Sequence, residues 1–190
     1  IQGISNVDFR VFDVQVDQLD NEEYDNVYSR FGVMFFENPY EAFKNIYASL
    51  KNGGKLSFVC WQNPALNPWQ SLSLKVIKEY LDMPSPPPRS PGPFAFQEKD
   101  YVQDILEQSG FSKIDLDDNQ EEITMFSGKT LQDASEDYLA INPVVTEMLK
   151  DSPDNLKIEI IESLKEAFAE FYKGDGLLFP SATWIVTAEK

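Results

Sequence analysis

The sequence contains no histidine and a single cysteine, Cys60, in 190 residues. Without histidine the chain lacks the commonest general base, the usual base of a nucleophilic triad and the commonest metal ligand. One cysteine rules out an intrachain disulfide, and the two shortages together leave no ligand set for a structural zinc site. No metal is therefore expected, and a reducing cytoplasm is the expected location. Basic residues are also scarce. Sixteen Lys and Arg stand against thirty-two Asp and Glu, a formal charge of −16. A surface that acidic repels phosphate, so neither nucleic acid nor an anionic membrane is expected as a partner. No apolar run approaches the ~20 residues of a membrane span. The opening IQGISNVDFR has neither the basic start nor the apolar core of a signal peptide. Its first residue is Ile1 rather than methionine, which points to a fragment, a processed product or the ordered part of something longer.

What is present is a globular composition, 42% hydrophobic and 13% aromatic, enough for one domain with a core. Val7–Phe12 (VDFRVF) alternates as a strand, and Asp13 follows it directly. Tyr24–Ser29 is a second predicted strand, broken by Ser29-Arg30-Phe31-Gly32 in the middle of an otherwise apolar stretch. A helix is predicted next, with Asn38 as cap, Pro39 at its first position and Glu41 completing a capping box. Phe43, Ile46, Tyr47 and Leu50 recur at helical spacing, and Gly53-Gly54 supplies the stop. Lys55–Trp61 is then a short apolar strand. Strand, helix, strand is a βαβ unit, which implies parallel strands and a right-handed crossover. In such sheets ligands sit beyond the carboxyl ends of the strands, where Asp13, Ser29, Arg30 and Trp61 all lie.

Further along, Trp69–Leu81 is predicted helical, and the proline-rich Pro84–Pro93 is a rigid connector rather than helix or strand. Glu98–Ser109 reads as a helix ended by Gly110, and Lys113–Leu116 as a strand. Two or three helices are predicted between Leu131 and Tyr172, the last capped by Ser152 with Pro153 at its first position. Ala182–Ala188 closes the chain as a strand. Phe168, Phe171 and Trp184 are assigned to the core.

The stretch YDNVYSRFGVMFFENPYEAFKNIYASLKNGGKLSFVCW resembles the middle of class I S-adenosylmethionine-dependent methyltransferases, closest to the branch of ubiquinone- and menaquinone-pathway C-methyltransferases. GPFAFQEKDYVQDILEQSGF and FPSATWIVTAEK resemble the later helix and last strand of the same branch. The resemblance implies an α/β fold, a Rossmann-like sheet that is mostly parallel with one antiparallel strand. It also implies a single partial domain over residues 1–190, with an insertion or lid over 62–97 and a helical insertion over 127–175. The departure is at the amino end. The family's glycine-rich loop, its first two strands and the acidic residue that holds the ribose have no counterpart here. Gly174-Asp175-Gly176 follows a predicted helix, not a strand, and is a helix stop.

Residue by residue, the resemblance implies that Asp13 accepts from the adenine amino group and Val14 packs beside the ring. Ser29, Arg30 and Phe31 would line S-adenosyl-L-methionine near its sulfonium, and Trp61 and Trp69 would wall the acceptor. The implied function is methyl transfer to a small-molecule acceptor, inactive in a chain without the glycine-rich loop. The alternatives are a non-catalytic interaction module, dimerising through an exposed sheet edge, and a nicotinamide-dependent oxidoreductase on a related sheet. A closing antiparallel strand counts against the last by the same resemblance.

Overall fold

A computed structural model describes residues 5–190, the side chain of Asp154 apart. Its frame is a four-stranded sheet in the order β1-β2-β4-β3, made of β1 (Tyr24–Arg30), β2 (Leu50–Trp61), β3 (Ser112–Met125) and β4 (Leu177–Glu189). β1 and β2 pair in parallel, while β4 runs antiparallel to both neighbours, β2 and β3. Only β4 is reversed, as the resemblance implied. The βαβ unit is present as expected, with α1 (Pro39–Ser49) crossing from β1 to β2.

Local sequence explains α1 in part. Asn38 Oδ1 accepts from the Glu41 amide at 3.3 Å and Pro39 holds the first position. The capping box is only half formed, because the Asn38 amide donates instead to Gln15 Oε1 at 2.8 Å and Glu41 pairs with Lys44. Gly53-Gly54 does not stop the helix either. The helix ends at Ser49, Leu50 is already extended, and both glycines lie inside β2. Gly54 is required there by crowding: a Cβ would stand 2.8 Å from the Lys51 carbonyl oxygen.

Two other expectations are corrected. Val7–Phe12 forms no strand; Phe9 is 83% exposed and Val11 fully so. A strand is stable only with hydrogen-bonded neighbours, and β1 at the sheet's edge pairs only with β2, leaving this segment without a ladder. Ser152 does not cap the helix that follows it. Its hydroxyl donates back to the Met148 carbonyl, and Pro153 takes the capping position of α6 (Asp154–Phe168) without a side-chain bond.

The chain buries two clusters of apolar side chains. The first joins Leu56, Phe58, Cys60, Val186 and Ala188 of the sheet to Phe43 and Ile46 of α1 and to Val102, Ile105 and Leu106 of α3 (Lys99–Gln108). Tyr40 Oη donates to Asp104 at 2.7 Å and ties these two helices together. That bond pushes the tyrosine up to about 12 and draws the Asp104 carboxyl down. The second cluster joins α2 (Pro68–Lys78), α4 (Leu131–Ala140), α5 (Pro143–Leu149) and α6 to Leu177 and Phe179 of β4.

The two clusters lie on opposite faces of one strand. β4 pairs with β3 in unbroken register from Asp115 to Met125, so alternation puts Val186 and Ala188 on one face and Leu177 and Phe179 on the other. The change of buried face falls at Ser181-Ala182-Thr183, all three buried. The long antiparallel β3–β4 pair thus carries the sheet's core at one end and the helical core at the other.

The proline segment is pinned, not free. Arg89 pairs with Glu98 at 2.6 Å and lies 4.2 Å over the Tyr101 ring, while the Gly92 amide donates to the Met34 carbonyl at 3.1 Å.

Candidate functional site

The carboxyl end of β1 is built around a strained residue. Phe31 sits at φ +57°, a left-handed conformation that costs a bulky L-residue on the order of 1 kcal/mol. The break in the strand therefore occurs at Phe31 rather than Gly32, whose φ of −99° is ordinary. Two contacts hold Phe31 there. Its amide donates to the Val59 carbonyl at 3.1 Å, and its ring stacks on Trp61 with centroids 4.3 Å apart at 14°. Stacking of that kind contributes about 0.5–1.5 kcal/mol beyond burial, comparable to the strain. Gly32 leaves room beside Ser29, since a Cβ would stand 3.1 Å from Ser29 Oγ.

From Phe31 the aromatic rings continue across the strand ends. Trp61, the last residue of β2, lies 4.8 Å from Trp69 at the start of α2, and Trp69 lies 6.0 Å from Phe94 at the end of the proline segment. All four rings are half-buried. The structure thus brings Phe31, Trp61 and Trp69 together and adds Phe94, which sequence reasoning did not single out.

Trp69 is fixed by a residue that sequence reasoning also missed. Its Nε1 donates to Asn67 Oδ1 at 3.1 Å, and that same oxygen accepts the Ala182 amide at 3.1 Å. Asn67 Nδ2 donates to the carbonyls of Ala182 and Asn63 at 3.1 and 3.2 Å. Asn67 is fully buried. β2 ends opposite Thr183, so the amide group of Asn67 continues the ladder by one residue and anchors α2 to β4. An asparagine just before Pro68 signals a helix cap. No local signal showed that its side chain would be spent on β4 instead.

The other predicted residues lie elsewhere. Val14 and Ser29 line an apolar groove of about 520 Å³ beside β1, together with Leu19, Val27, Val33 and Phe36. Asp13 heads a short turn. Its Oδ1 accepts from the Gln15 amide at 2.9 Å, and its own amide donates to Asp17 Oδ2 at 2.7 Å. Asn45 of α1 fastens that turn by donating to the carbonyls of Val14 and Asp17 at 2.8 and 2.6 Å. Arg30 is exposed, alternates to the opposite face of β1 from Ser29, and makes no ion pair among the described residues. The Cys60 thiol, buried behind the site, is pushed up to about 12 by desolvation, which makes it a poor nucleophile. Among the described residues no group of three or more His, Cys, Asp or Glu is placed to hold a metal, and no helix is long and apolar enough to cross a membrane.

A parallel β1–β2 pair, strand-end turns gathered at one rim and a single reversed strand between β2 and β3 define the architecture. Residues 2–58 match the family model described as "Methyltransferase domain". A protein from Bacillus halodurans inferred to be a methyltransferase superposes with a TM-score of 0.54 at 19% identity, over 97% of this chain and 78% of its own. The fold is that of a class I methyltransferase. The YcgJ protein from Bacillus subtilis superposes on this methyltransferase fold with a TM-score of 0.55 at 14% identity, over 100% of this chain and 73% of its own. The matched residues 2–58 run from before the Asp13 turn to Phe58 of β2, so they include β1, α1 and the groove between them.

For S-adenosylmethionine, the donor this fold implies, the groove would supply one wall only. Val14, Val27 and Phe36 offer apolar surface suited to a base, and Ser29 a hydroxyl at the strand end. No glycine-rich turn following a strand lies among the groove residues to receive the amino-acid part. Gly174–Gly176 forms a turn leading from the last helix into β4, closed by the Lys173 amide on the Gly176 carbonyl at 3.1 Å.

Proposed function

We propose that these 190 residues are the acceptor-side portion of an S-adenosylmethionine-dependent methyltransferase acting on a small molecule, and that alone they do not turn over. The observation that supports this most directly is the coincidence of three features at one rim. These are the methyltransferase order of strands, the apolar groove at the end of β1 and the aromatic row at the ends of β1 and β2.

Bound S-adenosylmethionine would supply a methyl group already activated on a sulfonium. The chain's own task is then placement and the exclusion of water. Val14 and Ser29 bind on the groove side, with Gly32 allowing Ser29 its position. Phe31, Trp61 and Trp69 hold a dry, flat boundary at the strand ends, and Asn67 orients Trp69 through its indole nitrogen. No general base is assigned, and in-line transfer to an already nucleophilic acceptor needs none. The half-buried aromatic row supports an acceptor with apolar or planar surface, and a deeply acidic chain disfavours a polyanionic one.

Calorimetric titration of S-adenosylhomocysteine into the 190-residue chain tests the reading. The expected result is no measurable heat of binding, because one wall offers too few contacts, with binding restored when a segment bearing a glycine-rich turn is supplied. Micromolar binding to the chain as it stands, abolished by Asp13→Ala, would show that the site is complete without that turn. The proposal of an inactive portion would then be wrong.

A further inference from the structure

The residue that follows an asparagine decides how stable its carboxamide is. The amide nitrogen of the next residue can attack the side-chain carbonyl, which makes some asparagines thermolabile. A following side chain hinders that approach, and a following proline has no N–H to use. The chain holds eleven asparagines, and Asn52 alone precedes a glycine. Asn38, Asn63, Asn67 and Asn142 precede proline, and the remaining six precede Val, Glu, Ile, Gln or Leu.

The fold places Asn52-Gly53 where that chemistry has room. Tyr24 pairs with Leu50 and Asn26 with Lys55, so one residue of β1, Asp25, faces four of β2, Lys51–Gly54. The excess is a bulge. Lys51, Asn52 and Gly53 are exposed on it. Gly53 has φ +78°, and a Cβ there would meet nothing within 4 Å, so no packed neighbour fixes the peptide that must move. One contact restrains the attacking nitrogen. The Gly53 amide donates to the Lys190 carbonyl at 3.1 Å, and the Lys190 amide donates to the Gly54 carbonyl at 3.0 Å. These bonds lie beyond Lys55–Glu189, the pair at which the β2–β4 register ends. Bonds at the end of a ladder open at low free-energy cost.

We propose that Asn52 is a site of spontaneous covalent modification, converted through a succinimide to aspartate and isoaspartate. The Gly53 nitrogen gives up its proton and bonds to Asn52 Cγ. The Cγ–Nδ2 bond breaks, and ammonia leaves with that proton. Water then opens the ring. Attack at Cγ gives aspartate, and attack at the main-chain carbonyl carbon gives isoaspartate, with the backbone running through Cβ and Cγ. Nothing is oxidised or reduced, and water is the one co-reactant. Either product adds a negative charge beside the Lys51–Asp25 ion pair, which closes at 3.0 Å. Isoaspartate also lengthens the backbone by one carbon. The bulge absorbs that length, because the β1–β2 register resumes at Asn26 and Lys55 beyond it. The modified chain therefore keeps its fold. This inference does not rest on methyl transfer.

Peptide mapping by mass spectrometry tests it on the folded 190-residue chain, incubated at neutral and at mildly alkaline pH. The peptide carrying Asn52 is expected to gain about 1 Da, and to do so about tenfold faster than any other asparagine. The rate should rise with pH, because the attacking nitrogen must lose its proton. Asn52→Gln, at an exposed position, should abolish the change and leave the unfolding midpoint where it was, since the longer side chain closes a six-membered ring far more slowly. Both aspartate and isoaspartate should form, and the modified chain should unfold at the wild-type midpoint. An Asn52 that converts no faster than the other asparagines overturns the proposal. Aspartate without isoaspartate overturns the succinimide route, and a lowered midpoint in the modified chain overturns the claim that the bulge absorbs the added carbon.

Discussion

Replacing Asn67 by alanine is expected to destabilise the protein by about 2–4 kcal/mol, from one fully buried donor left unpaired at about 1–3 kcal/mol, a half-buried indole donor and lost bonds to two carbonyls. The donors are the Ala182 amide and Trp69 Nε1, which both end on Asn67 Oδ1. The carbonyls of Ala182 and Asn63 lose the Nδ2 bonds, although the Gln62 amide still serves Ala182 at 3.0 Å. Asn67 and Ala182 are fully buried, so water cannot replace the bond between them, whereas it can reach the half-buried Trp69. Domains of this size have stabilities of about 5–15 kcal/mol, so the variant should lose a large share of its margin. Urea unfolding followed by tryptophan fluorescence measures this. Because Asn67 holds Trp69 against Trp61, the emission of the folded variant should also shift as Trp69 becomes wetter. A loss below about 1 kcal/mol would mean that α2 is held to β4 by its apolar contacts alone, and that Asn67 is incidental.

Alkaline pH is the second large lever. Burial pushes the Tyr138 phenol from an ordinary 10.0 up to about 12, opposed by the hydrogen bond from Ser73. The Cys60 thiol moves from 9.0 to about 12 for the same reason of burial. Both groups are neutral in the folded protein and ionise earlier in the unfolded chain. Their contribution is therefore fully present below about pH 9 and is lost as pH rises toward 12, where the unfolded state binds fewer protons. For Tyr138 alone a shift of this size amounts to on the order of 3 kcal/mol. The urea midpoint should be flat from neutrality to about pH 9 and then fall steeply. Tyr138→Phe should flatten part of that fall. At neutral pH it should cost only about 1 kcal/mol, since Ser73 Oγ keeps the Trp69 and Gln70 carbonyls while the Trp69 carbonyl loses its 2.7 Å bond from Tyr138. A midpoint that does not move between pH 9 and 11.5 would refute the claim that these groups are held neutral by the fold.

Asn67 and Tyr138 both act on the helical cluster and its junction with the sheet, and that junction is where sequence reasoning was weakest. The βαβ unit was legible because its signals are local: Asn38 and Pro39 start a helix, Phe43 and Ile46 mark its buried face, and the flanking runs suit strands. The reversed last strand was legible only through resemblance. The strand assigned to Val7–Phe12 had the right alternation, but alternation describes a strand's faces and not its neighbours. Without a partner for its backbone groups that segment stays out of the sheet.

The candidate site divides the same way. Position at a strand end pointed to Asp13, Ser29, Arg30 and Trp61 and resemblance added Phe31; of these the structure stacks Phe31 on Trp61. The sequence marked Ser29-Arg30-Phe31-Gly32 as a break, yet the strained residue is Phe31, held by a ring five ångströms or less away that comes from a strand thirty residues later. Arg30 and Ser29 are neighbours in sequence and face opposite ways, a separation that period-two alternation imposes.

Composition and local pattern by themselves determined that this chain is acidic, free of histidine chemistry, built on a parallel βαβ unit and continued by amphipathic helices. Those properties depend on single residues and on spacings of two to four, which hold wherever the segment ends up. Tertiary structure alone decided that β4 carries a core on each face, that Asn67 spends its amide on Ala182 across 115 residues, and that Phe31 stacks on Trp61. Each of these depends on which distant segment arrives to satisfy a buried hydrogen bond or cover an apolar surface, and no local spacing encodes that.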